Sequence, residues 1–543
     1  MKCFSGKSVY PGIAFGPVYI LQNIQPQIDN SPSTDSNSEL ELFEEAKKIA
    51  DAELELLFQK TSEEINEEAA GIIDVQRMIL ADEDLIEKIK AYILEERCRA
   101  AHAVSKAGTF FSGTFAALDD PYMKARAPDF IDITYRLIQI LTGEQKKPGL
   151  SEASIVIADD LSPSGILQLK KNLLLAFVLR KGSVNSHAAI LFRTLRIPSL
   201  IQTDICPDAE WNGCKAAVDA HNGKFYIEPD EMTTRKLESL YNKDKEDETE
   251  REKMRGLPSV TQDGLKINIF ANIGGPEDLE AVLTNDAEGI GIFRSEFLYL
   301  SRNNYPGEDE QFEAYRTVVQ GMKGKPVIIR TLDIGADKNI PYFGLESEEN
   351  PAMGLRAIRI CFERPELFKT QLRAIYRSSA FGNVSIIFPM IASLWELQRC
   401  KEAAARVRED LGREGIQYGN VPLGIMIETP AAALIADELA GEADFFSVGT
   451  NDLTQYTLAV DRQNEKLEVF SDPHHPALMK LLEMIAESAR KAGIMAGICG
   501  EVASDTTLTE TFLQMGYREL SVSPGYILKT RQKIRNIKNG GKQ

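Results

Sequence analysis

The spacing of apolar positions changes along the chain, and each change predicts a different kind of element. Residues 7–20, KSVYPGIAFGPVYI, mix β-branched and aromatic residues with Pro and Gly, which predicts short strands and a turn. After a polar cluster at 27–39, the period becomes helical from Glu39 to about Thr142. Leu42, Ala46, Ile49, Ala50, Leu54 and Leu57 follow it, as do Leu85, Ile89, Tyr92 and Ile93. That stretch predicts a bundle of about four helices. Strand signals return after Pro148 in SIVIADD, LLLAFVL and KAAVDAHNGKFYIEP. With residues 7–20 they predict one β-rich unit, formed by 1–28 and 146–230, into which the helical segment 29–145 is inserted. Residues 231–258, which contain KDKEDETEREK, predict a solvated helical linker rather than a binding tail.

From residue 259 to 543 a short apolar run, a polar turn and a helical pattern alternate. The runs are KINIFANI, GIGIFRSE, PVIIRTLDIG, VSIIFPMI, LGIMIET, FFSVGTND, GIMAGICGE and ELSVSP. This rhythm predicts a (β/α)8 barrel. A doubly wound open sheet is the competing arrangement, but no GxGxxG fingerprint opens any of the units. The expectation is therefore a multidomain α/β protein: a β/α domain with an inserted α-helical bundle, then a TIM-type barrel.

Composition narrows the function classes. The 543 residues suit two to four folding units, and 43% hydrophobic with 26% charged residues describes a globular chain. A formal charge of -19, from 81 acidic against 62 basic residues, disfavours binding to nucleic-acid backbones. The seven cysteines are scattered and never form CxxC, which argues against a disulfide framework or a zinc module. No apolar run reaches the ~18 residues of a membrane span, and the N-terminus lacks the apolar core of a signal peptide. A reduced, cytoplasmic protein with no membrane insertion is expected.

The candidate chemistry gathers at the ends of the predicted barrel strands, where catalytic groups of this fold sit. Arg294 follows the second run and Arg330 lies in the third. Glu428 ends the fifth, Asn451 and Asp452 the sixth, and Cys499 the seventh, while Arg356 and Arg462 lie nearby in loops or helix starts. Converging arginines suit a small substrate with several negative charges. The two acids offer hard oxygen ligands for Mg²⁺. A second candidate stands apart, in GSVNSHAAILFRTLRIP. Ala188, Leu191, Phe192 and Leu195 share a helical face, so His187 falls in a first turn, where free N–H groups favour an anion. Ser186 beside it is placed to orient the ring or bind a phosphoryl oxygen. Taken alone, the segment leaves two readings open: a nucleophilic histidine, or one that caps or packs a helix start. His221 in HNGK reads as a hairpin residue, His474 and His475 in SDPHHP as loop residues, and His102 as a helix residue without a constellation.

These motifs together carry a resemblance. SVNSHAAILFRTLRIP resembles the phosphohistidine segment of phosphoenolpyruvate-utilising enzymes, and DFFSVGTNDLTQYTLAVDR is similar to their barrel signature. RSEFLYL, RTLDIGADKNIPYF, ENPAMGLRAIRICFERPELFKTQLRAI and GICGEVASD extend the likeness over nearly the whole chain, towards the Enzyme I family of the bacterial phosphotransferase system. The resemblance implies a phosphohistidine domain, a helical domain that docks the phosphocarrier HPr, and a barrel that binds phosphoenolpyruvate and forms a homodimer. It implies that His187 is phosphorylated on Nε2. It also implies that Arg294, Arg330, Arg356, Asn451, Asp452 and Arg462 hold the substrate, that Glu428 and Asp452 bind Mg²⁺, and that Cys499 protonates the enolate. Five positions depart from the family pattern: Ser183, Val184 and Asn185 before the histidine, Ala336 in RTLDIGADK, and Gln76 where histidine is usual. Longer dikinases and synthases of the same superfamily carry a nucleotide-binding domain, and the chain has no GxxxxGK[ST] loop. A non-catalytic regulator and a barrel lyase acting on a 2-oxo acid are the alternatives from other classes.

Overall fold

The computed structural model describes residues 1–21, 28–64, 67–117, 126–143, 149–183, 186–300, 302–338, 340–346, 348–462 and 464–538. The side chains of residues 63, 64, 67–69, 187, 337, 465 and 468 lie outside that description. The chain divides into two compact units, Met1–Asp247 and Glu248–Gln543.

The first unit is built on an eight-stranded sheet. Its strands are β1 Lys2–Ser5, β2 Lys7–Tyr10, β3 Ile13–Ile20, β4 Ser154–Ala158, β5 Leu174–Leu179, β6 Ser199–Ile201, β7 Lys215–Asp219 and β8 Lys224–Ile227. They lie in the order β1-β8-β7-β3-β4-β5-β6-β2. The N-terminal strands thus join those after Pro148: β3 runs parallel to β4, with Val18 opposite Ile155, and antiparallel to β7. Strand β4 is buried throughout and β5 nearly so, which is why both read as unbroken apolar runs. Between β3 and β4 come five described helices: α1 Ser36–Glu64, α2 Glu67–Leu80, α3 Glu83–Leu94, α4 Ala100–Ala116 and α5 Ala127–Thr142. The spacing predicts about four. One break is chemical: Asp82 caps α3, its carboxylate accepting from the Leu85 N–H at 2.9 Å. Along α1 the buried stripe is Phe43, Ala46, Ala50, Leu54 and Leu57, whereas Leu42 and Ile49 are 52% and 40% exposed. They keep the helical period but sit at the edge of the stripe, and Phe43 fills the core instead.

The charged segment forms the helix Glu231–Glu252, as its composition predicts. Leu237 anchors it by packing with Ile13 and Ala217, and Leu240 and Tyr241 of the same helix pack against that cluster.

The second unit is a closed parallel barrel of eight strands. They are β9 Asn268–Ile273, β10 Gly289–Arg294, β11 Val327–Arg330, β12 Val384–Phe388, β13 Leu423–Ile427, β14 Phe445–Gly449, β15 Met495–Cys499 and β16 Glu519–Val522. Each of the eight apolar runs supplies one strand. Side chains alternate between two cores. One set, including Ile269, Ile290, Ile329, Ile425, Phe446, Ile498 and Leu520, packs outward against the helices. The other, Phe270, Ile292, Ile328, Ile387, Met426, Phe445 and Cys499, fills the interior. Among the described residues no helix is long and apolar enough to cross a membrane.

Candidate active site

Parallel pairing sends the last residue of every barrel strand to one rim, and the polar residues of the sequence collect there. Arg294 and Arg330 end neighbouring strands and pair directly in register. The Arg330 side chain is almost fully buried. One guanidinium nitrogen makes a short contact with Glu296, and Nη1 lies 2.9 Å from Asp333 Oδ2. The other oxygen of Asp333 takes Arg356 Nη2 at 2.8 Å. A single buried carboxylate therefore holds two arginines in fixed orientation. Burial pulls against ionisation of Asp333, but Arg330 and Arg356 win and lower it to about 2. Burial also opposes the charge on both guanidiniums, and their carboxylate partners more than offset it. Arg356 Nη1 further reaches Tyr456 Oη at 3.2 Å and Asp452 Oδ1 at 3.7 Å. Arg462, more exposed, stands 3.7 Å from Asp452 Oδ2. Arg294 has no ion-pair partner among the described residues. Among the described residues, one permanently charged fork thus lacks a carboxylate partner at the rim beside two that are pinned.

The acids and the thiol complete the rim. Glu428 immediately follows β13 and is 1% exposed. One of its oxygens accepts the Met390 N–H at 2.6 Å, and a Cβ on Gly449 would crowd the other at 2.6 Å. Burial, with the charges of Asp452 and Asp333, pushes Glu428 up to about 8. Asn451 and Asp452 occupy the first turn of the helix Thr450–Leu458 after β14. Asn451 Oδ1 accepts the Glu501 N–H at 3.1 Å. That loop can close in because Gly500 takes φ +95° and has no Cβ, which would meet Thr450 Oγ1 at 2.5 Å. Cys499 ends β15, fully enclosed, with Sγ 3.0 Å from the Val448 carbonyl. Burial pushes its thiol up to about 12.

The structure thus brings Arg330, Arg356, Asp452 and Arg462 into one chain of charge contacts, with Glu428 and Cys499 within their field. Arg294 and Asn451 join through strand register and the loop after β15. Sequence reasoning missed Glu296, Asp333 and Tyr456. The signal for Asp333 was its place three residues beyond Arg330 in RTLDIGADK, and Glu296 stands two beyond Arg294 in RSEFLYL.

His187 opens the helix His187–Leu195 in the first unit. The face formed by Ala188, Leu191, Phe192 and Leu195 is buried, as the spacing predicts. Ser186 is the N-cap: its hydroxyl accepts from the Ala189 N–H at 3.3 Å and donates to the Ser183 carbonyl at 2.8 Å. Both roles of that hydroxyl fix the start of the helix. Val184 and Asn185 lie outside the described residues. Gln76 is fully buried and makes a short hydrogen bond to Asp132. That bond ties α2 to α5 within the helical bundle. His221 lies in the β7–β8 turn with Nε2 2.8 Å from Asp244, and His474 Nε2 is 2.9 Å from Asp505. His475 caps the helix Pro476–Ala492 and His102 lies within α4. Among the described residues no cluster of three or more His, Cys, Asp or Glu is disposed to hold a metal.

Three family models match in succession: the N-terminal part of the PEP-utilising enzymes at residues 5–126, their mobile domain at 150–223, and their PEP-binding domain at 248–539. The last model covers the whole barrel and its polar rim. Full-length relatives are similar throughout. The phosphoenolpyruvate-protein phosphotransferases of Priestia megaterium and Listeria monocytogenes are each 38% identical over 99% of this chain and 94% of their own. That of Bacillus subtilis is 38% identical over 99% and 95%. The chain belongs to the phosphoenolpyruvate-protein phosphotransferase family. It is an enzyme of the PEP-utilising class, with a mobile-domain segment that contains His187 and a barrel segment that contains every rim residue described above. The Ala336 departure from the family pattern falls in the short 3-10 turn Ala336–Lys338, on the loop that also carries Asp333.

Proposed function

We propose that this enzyme moves the phosphoryl group of phosphoenolpyruvate to Nε2 of His187 and then to an HPr-type phosphocarrier protein, releasing pyruvate. The observation that supports it most is the buried Arg330–Asp333–Arg356 bridge, with Arg294, which has no ion-pair partner among the described residues, beside it. Such an array fixes the phosphate and carboxylate of a small trianion before any bond changes. The imidazole attacks phosphorus and the bond to the enol oxygen breaks, which leaves the enolate of pyruvate among the arginines. The Cys499 thiol, protonated at neutral pH, gives its proton to C3. In the proposed domain scheme, 1–28 with 146–230 carries the histidine, 29–145 docks the carrier, 231–258 links, and 259–543 binds substrate and forms a homodimer. The expected setting is the cytoplasm.

Glu428 and Asp452 fit a Mg²⁺ ion. Asp452 Oδ1 is buried without a hydrogen bond, and like charges weigh on Glu428, a cost that a hard divalent cation would offset. When bound, Mg²⁺ supplies positive charge to the phosphoryl oxygens. Mg²⁺ alone is expected to raise the thermal unfolding midpoint of the barrel by several degrees, and to leave that of Asp452→Ala unchanged. Equal shifts in calorimetry would place the ion elsewhere.

The transfer itself is tested with phosphoenolpyruvate labelled in the phosphoryl group, in the presence of Mg²⁺. An acid-labile, base-stable label is expected on the wild-type chain, absent from His187→Ala and discharged to an HPr-type protein. A label that no carrier removes would overturn the protein-transfer step. No label at all would favour the regulator.

A further inference from the structure

The loops that carry the rim arginines need a hold that the strands do not supply. The pairing of β10 with β11 ends at Arg294 and Arg330, and Glu296, Leu332 and Asp333 lie beyond it. One side chain spans this gap. Gln371, on the helix Pro365–Ser378, is 1% exposed, and its amide reaches both loops. Its Oε1 accepts the Leu332 N–H at 2.9 Å, and its Nε2 donates to Ser295 Oγ at 2.9 Å. Ser295 stands between Arg294 and Glu296, and Leu332 is next to Asp333. Nε2 also donates to Tyr315 Oη at 3.2 Å. The Tyr315 hydroxyl in turn donates to Gln311 Oε1 at 3.1 Å, and Gln311 Nε2 donates to the Pro306 carbonyl at 3.0 Å.

Gln371, Ser295, Leu332, Tyr315 and Gln311 are all buried, and the orientation of the amide is dictated by its partners. A backbone N–H needs an acceptor, so the oxygen faces Leu332 and the NH₂ group faces the two hydroxyls. The neighbouring buried positions of the same helix include Phe368, Leu372 and Ile375, and glutamine among them is costly unless its bonds are made. Packing alone would be served by methionine or leucine. What the amide adds is a fixed distance between two loops. Arg294 is the side chain that most needs it. Arg330 and Arg356 are braced by Asp333, whereas Arg294 has no ion-pair partner among the described residues. Its place is set by the backbone that continues into Ser295.

We propose that Gln371 is a positioning residue for phosphoryl transfer. Its amide locks the Arg294 loop to the loop of Arg330 and Asp333, and so sets the spacing of the guanidiniums that receive phosphoenolpyruvate. The inference rests on the reading of those arginines as the anion site of the substrate. Gln371 acts through Ser295 and Leu332 and needs no contact with substrate. Its loss removes no charge from the rim, so attraction for the anion survives while alignment for in-line attack does not.

The test separates alignment from folding. Full-length Q371M, S295A, Q311M and R294A, with Mg²⁺ and phosphoenolpyruvate labelled in the phosphoryl group, are followed by quenched-flow measurement of label on His187 and by calorimetry. In Q371M the maximal labelling rate is expected to fall about 10²-fold, the scale of a small misplacement of reacting groups. The phosphoenolpyruvate concentration that gives half of that rate should stay within about threefold of wild type, because every rim charge remains. S295A cuts the tie to the Arg294 loop alone, and should show the same split with about a tenfold loss. Q311M breaks the far end of the network and should lower the unfolding midpoint as Q371M does, yet label at the wild-type rate. Equal slowing in Q371M and Q311M, or a Q371M rate within about twofold of wild type, would make Gln371 a packing residue and overturn the inference. So would a wild-type rate in S295A, which decides the matter if Q371M does not fold. R294A tells the two readings apart. Slow labelling in R294A with normal labelling in Q371M defeats the Gln371 role alone, whereas normal labelling in R294A defeats the anion-site reading and Gln371 with it.

Discussion

Cys499→Ala is expected to form pyruvate from phosphoenolpyruvate about 10²–10⁴-fold more slowly than the wild-type chain, the range for losing one positioned proton donor. Label should still reach His187, because the attacking imidazole and the arginines remain. The thiol stands at the last residue of β15, at the level of Gly449 on its neighbour, and donates towards the Val448 carbonyl at 3.0 Å. Its enclosure explains its protonation: burial disfavours the thiolate and pushes the group up to about 12. The sign is clear. A thiol raised this far keeps its proton across the physiological range, so ionisation of Cys499 should produce no fall in rate between pH 7 and 10. The enolate carbon is basic enough to take that proton when held against it. In the alanine variant the enolate waits for solvent, and protonation loses its facial preference. Pyruvate made in tritiated water from phosphoenolpyruvate stereospecifically deuterated at C3 carries H, D and T on one carbon, and would reveal this as a racemised methyl group. An unchanged rate with retained stereochemistry would mean that another group donates.

The barrel was readable from sequence because its strands are buried on both faces, so VIIR, LGIMI and FFSVG stand out as apolar runs between polar turns. The same reason made Arg330, Glu428 and Asp452 conspicuous, since charge at the end of such a run has no place in a core. Asp333 and Glu296 were not conspicuous. Each is an ordinary acid in a polar loop, and only the parallel pairing of β10 with β11 brings both onto one arginine. Gln371 was hidden differently. PELFKTQLRAI reads as an amphipathic helix, and nothing in it reveals that its glutamine is buried against two rim loops. In α1 the period was right but its phase was uncertain by one position, which exchanged Phe43 for Leu42. At His187 the local residues defined a capped helix start and no more. The case for a nucleophile came from the anion site in the barrel and from the full-length match to the family.

Asp333→Asn is expected to destabilise the barrel by about 3 kcal/mol and to slow labelling of His187 strongly, although residue 333 need never touch phosphoenolpyruvate. Both effects have one cause. Asp333 is buried and shares its two oxygens between Arg330 Nη1 at 2.9 Å and Arg356 Nη2 at 2.8 Å. An amide of the same shape keeps one acceptor but replaces the other with a donor facing a guanidinium, and it removes the negative charge. Arg330 retains Glu296, and Arg356 retains Tyr456 with Asp452 at 3.7 Å, so the loss belongs at the lower end of the range for breaking a buried ion pair. Transfer suffers more than folding, because the two guanidiniums lose the strut that aims them before substrate arrives. Phosphoenolpyruvate should restore part of the lost stability in calorimetry, since its own charge answers the uncompensated arginines, while failing to restore the labelling rate. A variant as stable as wild type would show that Glu296 and Asp452 suffice to neutralise the pair. Normal labelling in a destabilised variant would show that Asp333 supports the fold and leaves the aim of the arginines to the substrate.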